Sequence, residues 1–433
     1  MSEKIKLGLS RNRLFEFENC VCFLGECEEV FDVLQCRKAL KMLCLKESVI
    51  TACIKLEDDG EAYVVYGGNT PDLELTEGDV DEFLQKKKVQ GLDFSKELFS
   101  FTILNGNVLC IFAHTVIADV RSLMYLASEF KAFYDKKSFS VESSDNKILS
   151  ETSQMPSNVF SVVVDRLASG LEVGWQKNTT VFTHADYKKA RKKYFDLKKG
   201  VNSVSTELDK AVFADLKSFA EKEGVDVSSL VAFAFYRGLC DNVGGKRKYR
   251  KLNVQSNVRI FFDDFESMNV GAYNGFFSVE KKKNKNLPDT LINNAKTFHD
   301  GIYKKATSAF SAFYNEFLFM RLPPSFADSQ YMYCAGLFKH KYSKKLADTY
   351  GCASEVLGEF CSYNLAQDYW RGLDGFKKIT VSEPLKLRSS SLITFVQKEE
   401  EGSITFEYKQ DEITGSAASE IMIKAMEILR EFK

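Results

Sequence analysis

Hydrophobic and polar positions along this chain switch between two periods, and the switches mark its elements. After an apolar stretch over residues 14–24, Val30, Phe31, Leu34, Ala39, Leu40 and Leu43 recur at the spacing of an amphipathic helix. Residues 49–56 and 62–66, rich in β-branched and aromatic side chains, flank Asp58-Asp59-Gly60 and read as a strand pair. The acidic run over 74–82 reads as a surface loop. The sharpest signal is a hairpin, 99–104 and 108–113, joined through Asn105-Gly106, the dipeptide suited to the two positive-φ positions of a type I′ turn. Its second strand runs into His114-Thr115-Val116-Ile117-Ala118-Asp119, after which Leu123, Leu126, Phe130 and Phe133 mark one face of a helix.

The second half repeats the theme. Val212, Phe213, Leu216, Phe219 and Ala220 share a helix face that Gly224 is placed to stop. Asp226 and Ser228 are suited to cap the next helix, 230–239, which is apolar on most sides and therefore buried. Residues 252–260, 393–397 and 404–408 read as strands, and 417–432 as a closing amphipathic helix. Strands and helices alternate in both halves, which gives an α/β class.

Length and composition narrow the possibilities. A chain of 433 residues exceeds what one core usually supports. Polar, Ser-containing residues 136–158 read as a connection within the first half, and the basic stretch 176–200 as the link between an N-terminal lobe, 1–185, and a C-terminal lobe, 186–433. Lys188, Lys189, Arg191, Lys192 and Lys193 in that stretch are expected to be a solvated face more than a phosphate or carrier-protein patch. Lys and Arg total 59 against 60 Asp and Glu, so no global field draws in nucleic acid or an anionic membrane. No apolar run reaches the length of a membrane span, and the start lacks a secretory pattern. Eleven cysteines, an odd number, then fit reduced thiols in a cytoplasmic protein. Cys20, Cys22 and Cys27 are close enough to raise a metal site, but no second pair completes a tetrahedral set, so buried thiols and no metal are expected.

Several segments, taken in order, point to a family. His114-Thr115-Val116-Ile117-Ala118-Asp119-Val120-Arg121-Ser122-Leu123, Val225-Asp226-Val227-Ser228-Ser229-Leu230, Asn257-Val258-Arg259 and Val270-Gly271-Ala272-Tyr273-Asn274-Gly275-Phe276-Phe277 follow one another. The sequence resembles the acyltransferase superfamily of chloramphenicol acetyltransferase, condensation domains of nonribosomal peptide synthetases and alcohol acetyltransferases. The motif there is two histidines, three variable residues and Asp-Gly, followed by a helix. The resemblance implies two similar α/β lobes forming a pseudo-dimer with a tunnel between them, and a monomer, since the lobes supply their own interface. It implies transfer of an acyl group from a thioester, acyl-CoA or an acyl carrier protein, to a small alcohol or amine acceptor, with no resident cofactor. It also implies a structural Asp119–Arg259 pair, and it places Ser362 and Asn364 near the acyl carbonyl, where they would stabilise an oxyanion. The signature of plant BAHD acyltransferases is absent; Leu373-Asp374-Gly375-Phe376 only approaches it.

The departure falls on the chemistry. The family's general base is the second histidine, and that position here is Thr115, whose hydroxyl accepts no proton near neutral pH. His114 is then the candidate for a displaced base. In a regular strand it faces away from the side that residue 115 faces, and only a slip or bulge restores it. Val120 replaces the usual glycine. His184, His299 and His340 have no triad-like partners nearby in sequence, and His340, inside Lys339-His340-Lys341, is expected to be exposed. Three functions follow, the first two being an acyltransferase using His114, with Asp119 and Arg259 holding the site, and a catalytically silent binding module. A stand-alone condensation enzyme with carrier-bound donors is the third.

Overall fold

The computed structural model describes residues 4–136, 148–151, 154–156, 159, 161–198, 200–243, 250–263, 268–281, 288–365 and 373–433. The proposed connection over 136–158 lies largely outside these residues.

The first lobe is built on a five-stranded sheet in the order Lys378–Ser382, Cys20–Glu26, Val108–His114, Phe99–Leu104, Leu73–Thr76. Its centre is the hairpin read from sequence, with Leu104 opposite Val108 and both Asn105 (φ 54) and Gly106 (φ 76) left-handed in a three-residue connection. Residues 74–82 are not a loop: Leu73–Thr76 adds in parallel to Phe99–Leu104, and Val80–Gln90 is a helix capped by Asp79. Charge hid both, because an edge strand and a surface helix each keep a solvated face where acidic residues cost nothing. A small three-stranded sheet, Lys4–Lys6, Ala62–Val65 and Cys53–Leu56, completes this half. The expected start at residue 49 is instead a short 3-10 turn, Ser48–Thr51.

The second lobe carries a six-stranded sheet, Asn274–Val279, Leu252–Asn257, Gly358–Asn364, Ser391–Lys398, Glu401–Lys409 and Val201–Glu207. Gly358–Asn364 runs parallel to both neighbours. Helices Val227–Asn242 and Gly415–Arg430 pack together over this sheet, and the first is buried almost throughout, as its continuous apolar run requires. Helix Lys210–Glu223 stops at Gly224, which is left-handed at φ 66. Asp226 sits at the start of Val227–Asn242, but its side chain accepts no capping hydrogen bond there.

Two features join the halves. Lys378–Ser382, from the second half of the sequence, pairs with Cys20–Glu26 at the edge of the first sheet. The basic stretch is mostly helix, His184–Leu197, with Tyr187, Ala190 and Tyr194 buried against the first lobe. Arg191 is part of this attachment and not a solvated charge: it donates to the carbonyls of Phe17, Val89 and Gln90 at 2.7, 2.5 and 2.8 Å. No helix among the described residues is long and apolar enough to cross a membrane.

Candidate functional site

The site begins where Val108–His114 ends. Alternation along this strand divides its side chains between two layers. Leu109, Ile111 and Ala113 join the main core with the helix Val120–Tyr134, whereas Val108, Cys110 and Phe112 pack with Leu84 and Leu92 on the opposite face. The ladder with Cys20–Glu26 is continuous from Glu26 opposite Val108 to Cys20 opposite His114, so no bulge resets the pattern. His114 therefore continues the second set. It is fully buried, edge-on to Phe94, with its Nδ1 accepting from the Val116 amide at 3.2 Å. Its Nε2 has no hydrogen-bond partner among the described residues. Burial, then the nearby Arg191 charge, pushes the imidazole down to about 3, so it is neutral at physiological pH. The bulge that a displaced base requires is absent, and His114 lines none of the clefts described below.

Thr115 takes the other direction. Its amide donates to the Asn19 carbonyl at 2.8 Å and its hydroxyl to Glu16 Oε2 at 3.1 Å. Where the family places its base, this chain has a hydroxyl turned onto a carboxylate.

Asp119 is held from both sides. It caps Val120–Tyr134 by accepting from the Ser122 amide at 2.9 Å and from the Ser122 hydroxyl at 2.8 Å. Arg259 forks onto its two oxygens at 2.7 and 3.0 Å, and both side chains are buried. Cap and bridge coexist in this one aspartate. Burial would raise its carboxyl, but the Arg259 charge and hydrogen bonds, with the Ser122 amide, bring it below the ordinary value. Arg259 also donates to the Met268 carbonyl at 2.7 Å and lies over the Tyr273 ring. Ser122 completes the join by accepting from the Gly271 amide at 3.1 Å, with its hydroxyl oxygen 3.0 Å from the Gly271 carbonyl. Val120, at the family's glycine position, is buried and helical with no positive φ.

Two of the molecule's clefts bear on the candidate site. An open cleft of about 850 Å³ lies between the lobes, lined by Arg121 from the first and by Lys217, Asp226, Ser362, Tyr363 and Asn364 from the second. Ser362 and Asn364 thus share a wall, and the Ser362 carbonyl accepts from Arg121 at 3.1 Å. The second, a pocket of about 60 Å³, is lined by Arg13, Glu16, Glu18, Glu316, Lys386 and Arg388 among others. A buried chain of polar side chains connects the two: Tyr363 and Gln255 donate to Glu383 at 2.9 and 2.7 Å, Asn274 donates to the same oxygen at 3.4 Å, and Arg13 binds Asn274. Burial raises the Glu383 carboxyl, and the nearby Asp119 charge adds to the effect.

The remaining histidines stand apart from this join. His184 pairs with Asp93 at 3.0 Å, His299 meets Ser229 at 3.1 Å, and His340, expected to be exposed, is half-buried edge-on to Trp175. Cys20 and Cys22 are buried beside Cys110, and burial raises all three thiols, Cys20 to about 12. Sequence reading passed over Glu16, Glu18, Arg121 and Glu383. The first two carried a signal, since acids inside the apolar run 14–24 must either break it or face a polar site.

No protein-family model and no curated protein matches the sequence. Solved structures do. The first condensation domain of the CDA synthetase is 12% identical, with a TM-score of 0.65 over 100% of this chain and 96% of that one. A trichothecene 15-O-acetyltransferase from Fusarium sporotrichioides is 9% identical, with a TM-score of 0.62 over 100% and 96%. The starter condensation domain of rhizomide synthetase, in complex with C8-CoA and Leu-SNAC, is 10% identical, with a TM-score of 0.62 over 99% and 94%. The chain has the chloramphenicol acetyltransferase-like fold of condensation domains along its whole length.

Proposed function

We propose that this protein binds an acyl thioester presented by a carrier protein in the cleft between its lobes, and that it does so without histidine-dependent transfer. One observation carries the reading: His114 is sealed into the Phe94 side of the sheet while Thr115 is turned onto Glu16. General base catalysis at neutral pH needs a group that titrates near that pH and reaches the acceptor. Thr115 fails the first condition and His114 fails both.

The ligand class is supported by the fold shared with condensation domains, one of them bound to an acyl-CoA. Charge favours a carrier over free coenzyme A. Arg121 and Lys217 on the cleft wall are outnumbered by Glu221, Asp226, Glu399 and Glu400. Free coenzyme A brings several phosphates into that field and a carrier-held pantetheine arm only one, so repulsion falls more heavily on the former.

A second reading, acyl transfer from acyl-CoA or an acyl carrier to a small alcohol or amine with His114 as base, draws on the intact Asp119–Arg259 pair. One experiment separates the two. Octanoyl-carrier protein and octanoyl-CoA are each titrated into wild type, His114→Ala and Thr115→His, with mixed alcohol and amine acceptors, and released thiol is followed by mass spectrometry. The binding reading expects tighter binding of the carrier form, no acceptor-dependent release by wild type, and release, if any, only in Thr115→His. Release by wild type that disappears in His114→Ala would establish the second reading instead.

A further inference from the structure

Helices Pro324–Cys334 and Lys341–Thr349 pack against each other and bring together two cysteines that stand 18 positions apart. Cys334 ends the first helix, and Cys352 lies in the turn just past the second. Their sulfurs are 3.0 Å apart, and no other two thiols among the described residues hydrogen-bond to each other. Cys20, Cys22 and Cys110 share one core layer, but the Sγ of each is directed at an oxygen one or two residues away.

The surroundings hold this pair in place and tell its members apart. The Cys352 amide donates to Gln330 Oε1 at 2.8 Å, and its Sγ lies 3.6 Å from the Gln330 carbonyl, so the turn is fastened to the helix one turn before Cys334. Cys352 is buried, whereas Cys334 is the member with solvent exposure. Burial, then the hydrogen bond and the charge of Cys334, push the Cys352 thiol well up, so Cys352 is the one that keeps its proton. Thiolates, not thiols, attack oxidants, and a cysteine oxidised beside a second thiol condenses with it to a disulfide. A bond needs these sulfurs only about 1 Å closer than they stand.

We propose that Cys334 and Cys352 form a peroxide-sensitive dithiol, converted by hydrogen peroxide to a disulfide that staples the end of helix Pro324–Cys334 to the turn at 350–352. Cys334, having lost its proton to solvent, attacks one peroxide oxygen; the O–O bond breaks, hydroxide leaves and is protonated, and Cys334 becomes a sulfenic acid. The Cys352 sulfur then attacks the Cys334 sulfur, the S–O bond breaks, and the Cys352 proton departs with the hydroxyl as water. Two thiols and one peroxide give one disulfide and two waters; the sulfurs lose two electrons and the peroxide gains them. Gln330 and Tyr331 from the helix, and Tyr350 and Gly351 from the turn, line the small pocket, so the staple fixes that wall. The inference does not depend on what the large cleft binds.

The test exposes the full reduced chain to hydrogen peroxide, blocks the remaining thiols with iodoacetamide and maps the products by peptide mass spectrometry, both natively and in urea. The native chain is expected to give a Cys334–Cys352 cross-linked peptide before its other thiols are oxidised. Dithiothreitol is expected to reverse the link, and Tm to rise by a few degrees while it is present, because it constrains the unfolded chain. Cys334→Ser is expected to abolish both the cross-link and the Tm shift, and Cys352→Ser to leave a sulfenic acid at Cys334 that dimedone captures. Should Cys352→Ser, at the buried position, not fold, Cys334→Ser and the wild-type map still read the pair. Oxidation that links other cysteines first, that takes Cys334 to a sulfinic acid without a cross-link, or that keeps its full selectivity in urea would overturn the assignment.

Discussion

Arg259 reaches across 140 positions of sequence to grip both carboxylate oxygens of Asp119, at 2.7 and 3.0 Å, in a place where water does not enter. The pair ties the start of the helix behind the His114 strand to the second lobe, so the walls of the large cleft keep their spacing through it.

Breaking that pair from one side is expected to be expensive. Arg259→Met leaves a buried carboxylate and Asp119→Ser a buried guanidinium, each costing about 3–5 kcal/mol in urea unfolding. Serine retains a capping oxygen, so Asp119→Ser reports the charge more than the cap. The double variant leaves neither charge alone and is expected to cost less than the sum. Because the folded Asp119 carboxyl is depressed, its contribution is complete above the unfolded value of about 3.9 and is lost as pH falls through the folded value. Asp119→Ser should therefore flatten the acid limb of the stability curve below about pH 4.

His114 gives a second pH signature in a different window. Its folded pKa of about 3 lies below the ordinary 6.5, so the unfolded chain takes up a proton that the folded chain refuses. Stability from this group is complete above pH 6.5 and declines as pH falls toward 3. His114→Asn keeps an acceptor for the Val116 amide and removes the titration. Its unfolding free energy is expected to be less steep than wild type between those limits, with ligand binding in the large cleft unchanged. An unaltered slope would place the imidazole in water, against the geometry.

Gly275 sits where the strand Asn274–Val279 passes under helix Ala309–Met320. A Cβ there would be driven into the Ala312 carbonyl oxygen, a backbone atom that cannot rotate aside. Gly275→Ala is expected to destabilise by about 1–3 kcal/mol, the scale of overpacking. Gly301→Ala, in helix Leu291–Ala306, meets nothing within 4 Å and serves as the contrast, neutral or slightly stabilising. Comparable losses in both would remove the packing explanation.

Much of this fold was legible along the chain. The Asn105-Gly106 hairpin, the stop at Gly224 and the helix following Asp119 are local events, in which turn chemistry and the spacing of apolar residues decide the outcome within a few positions. The misread acidic run at 74–82 shows where that legibility ends, because an edge strand and a surface helix are defined by the neighbours they lean on. The basic stretch shows it again: Arg191 resembles a solvated charge until the carbonyls of Phe17, Val89 and Gln90 come together around it.

The sequence alone determined the α/β class, the motif from His114 to Asp119 and the threonine at its second position, which follow from periodicity and from a contiguous motif; the partnership of Asp119 with Arg259 was implied by the family resemblance. Only the tertiary structure decided which way His114 faces, what Thr115 touches, and that Glu16, Glu316 and Asn12 line one pocket. Alternation in a strand assigns opposite faces but not which face holds the core, and residues some 300 positions apart become one site only when two lobes pack.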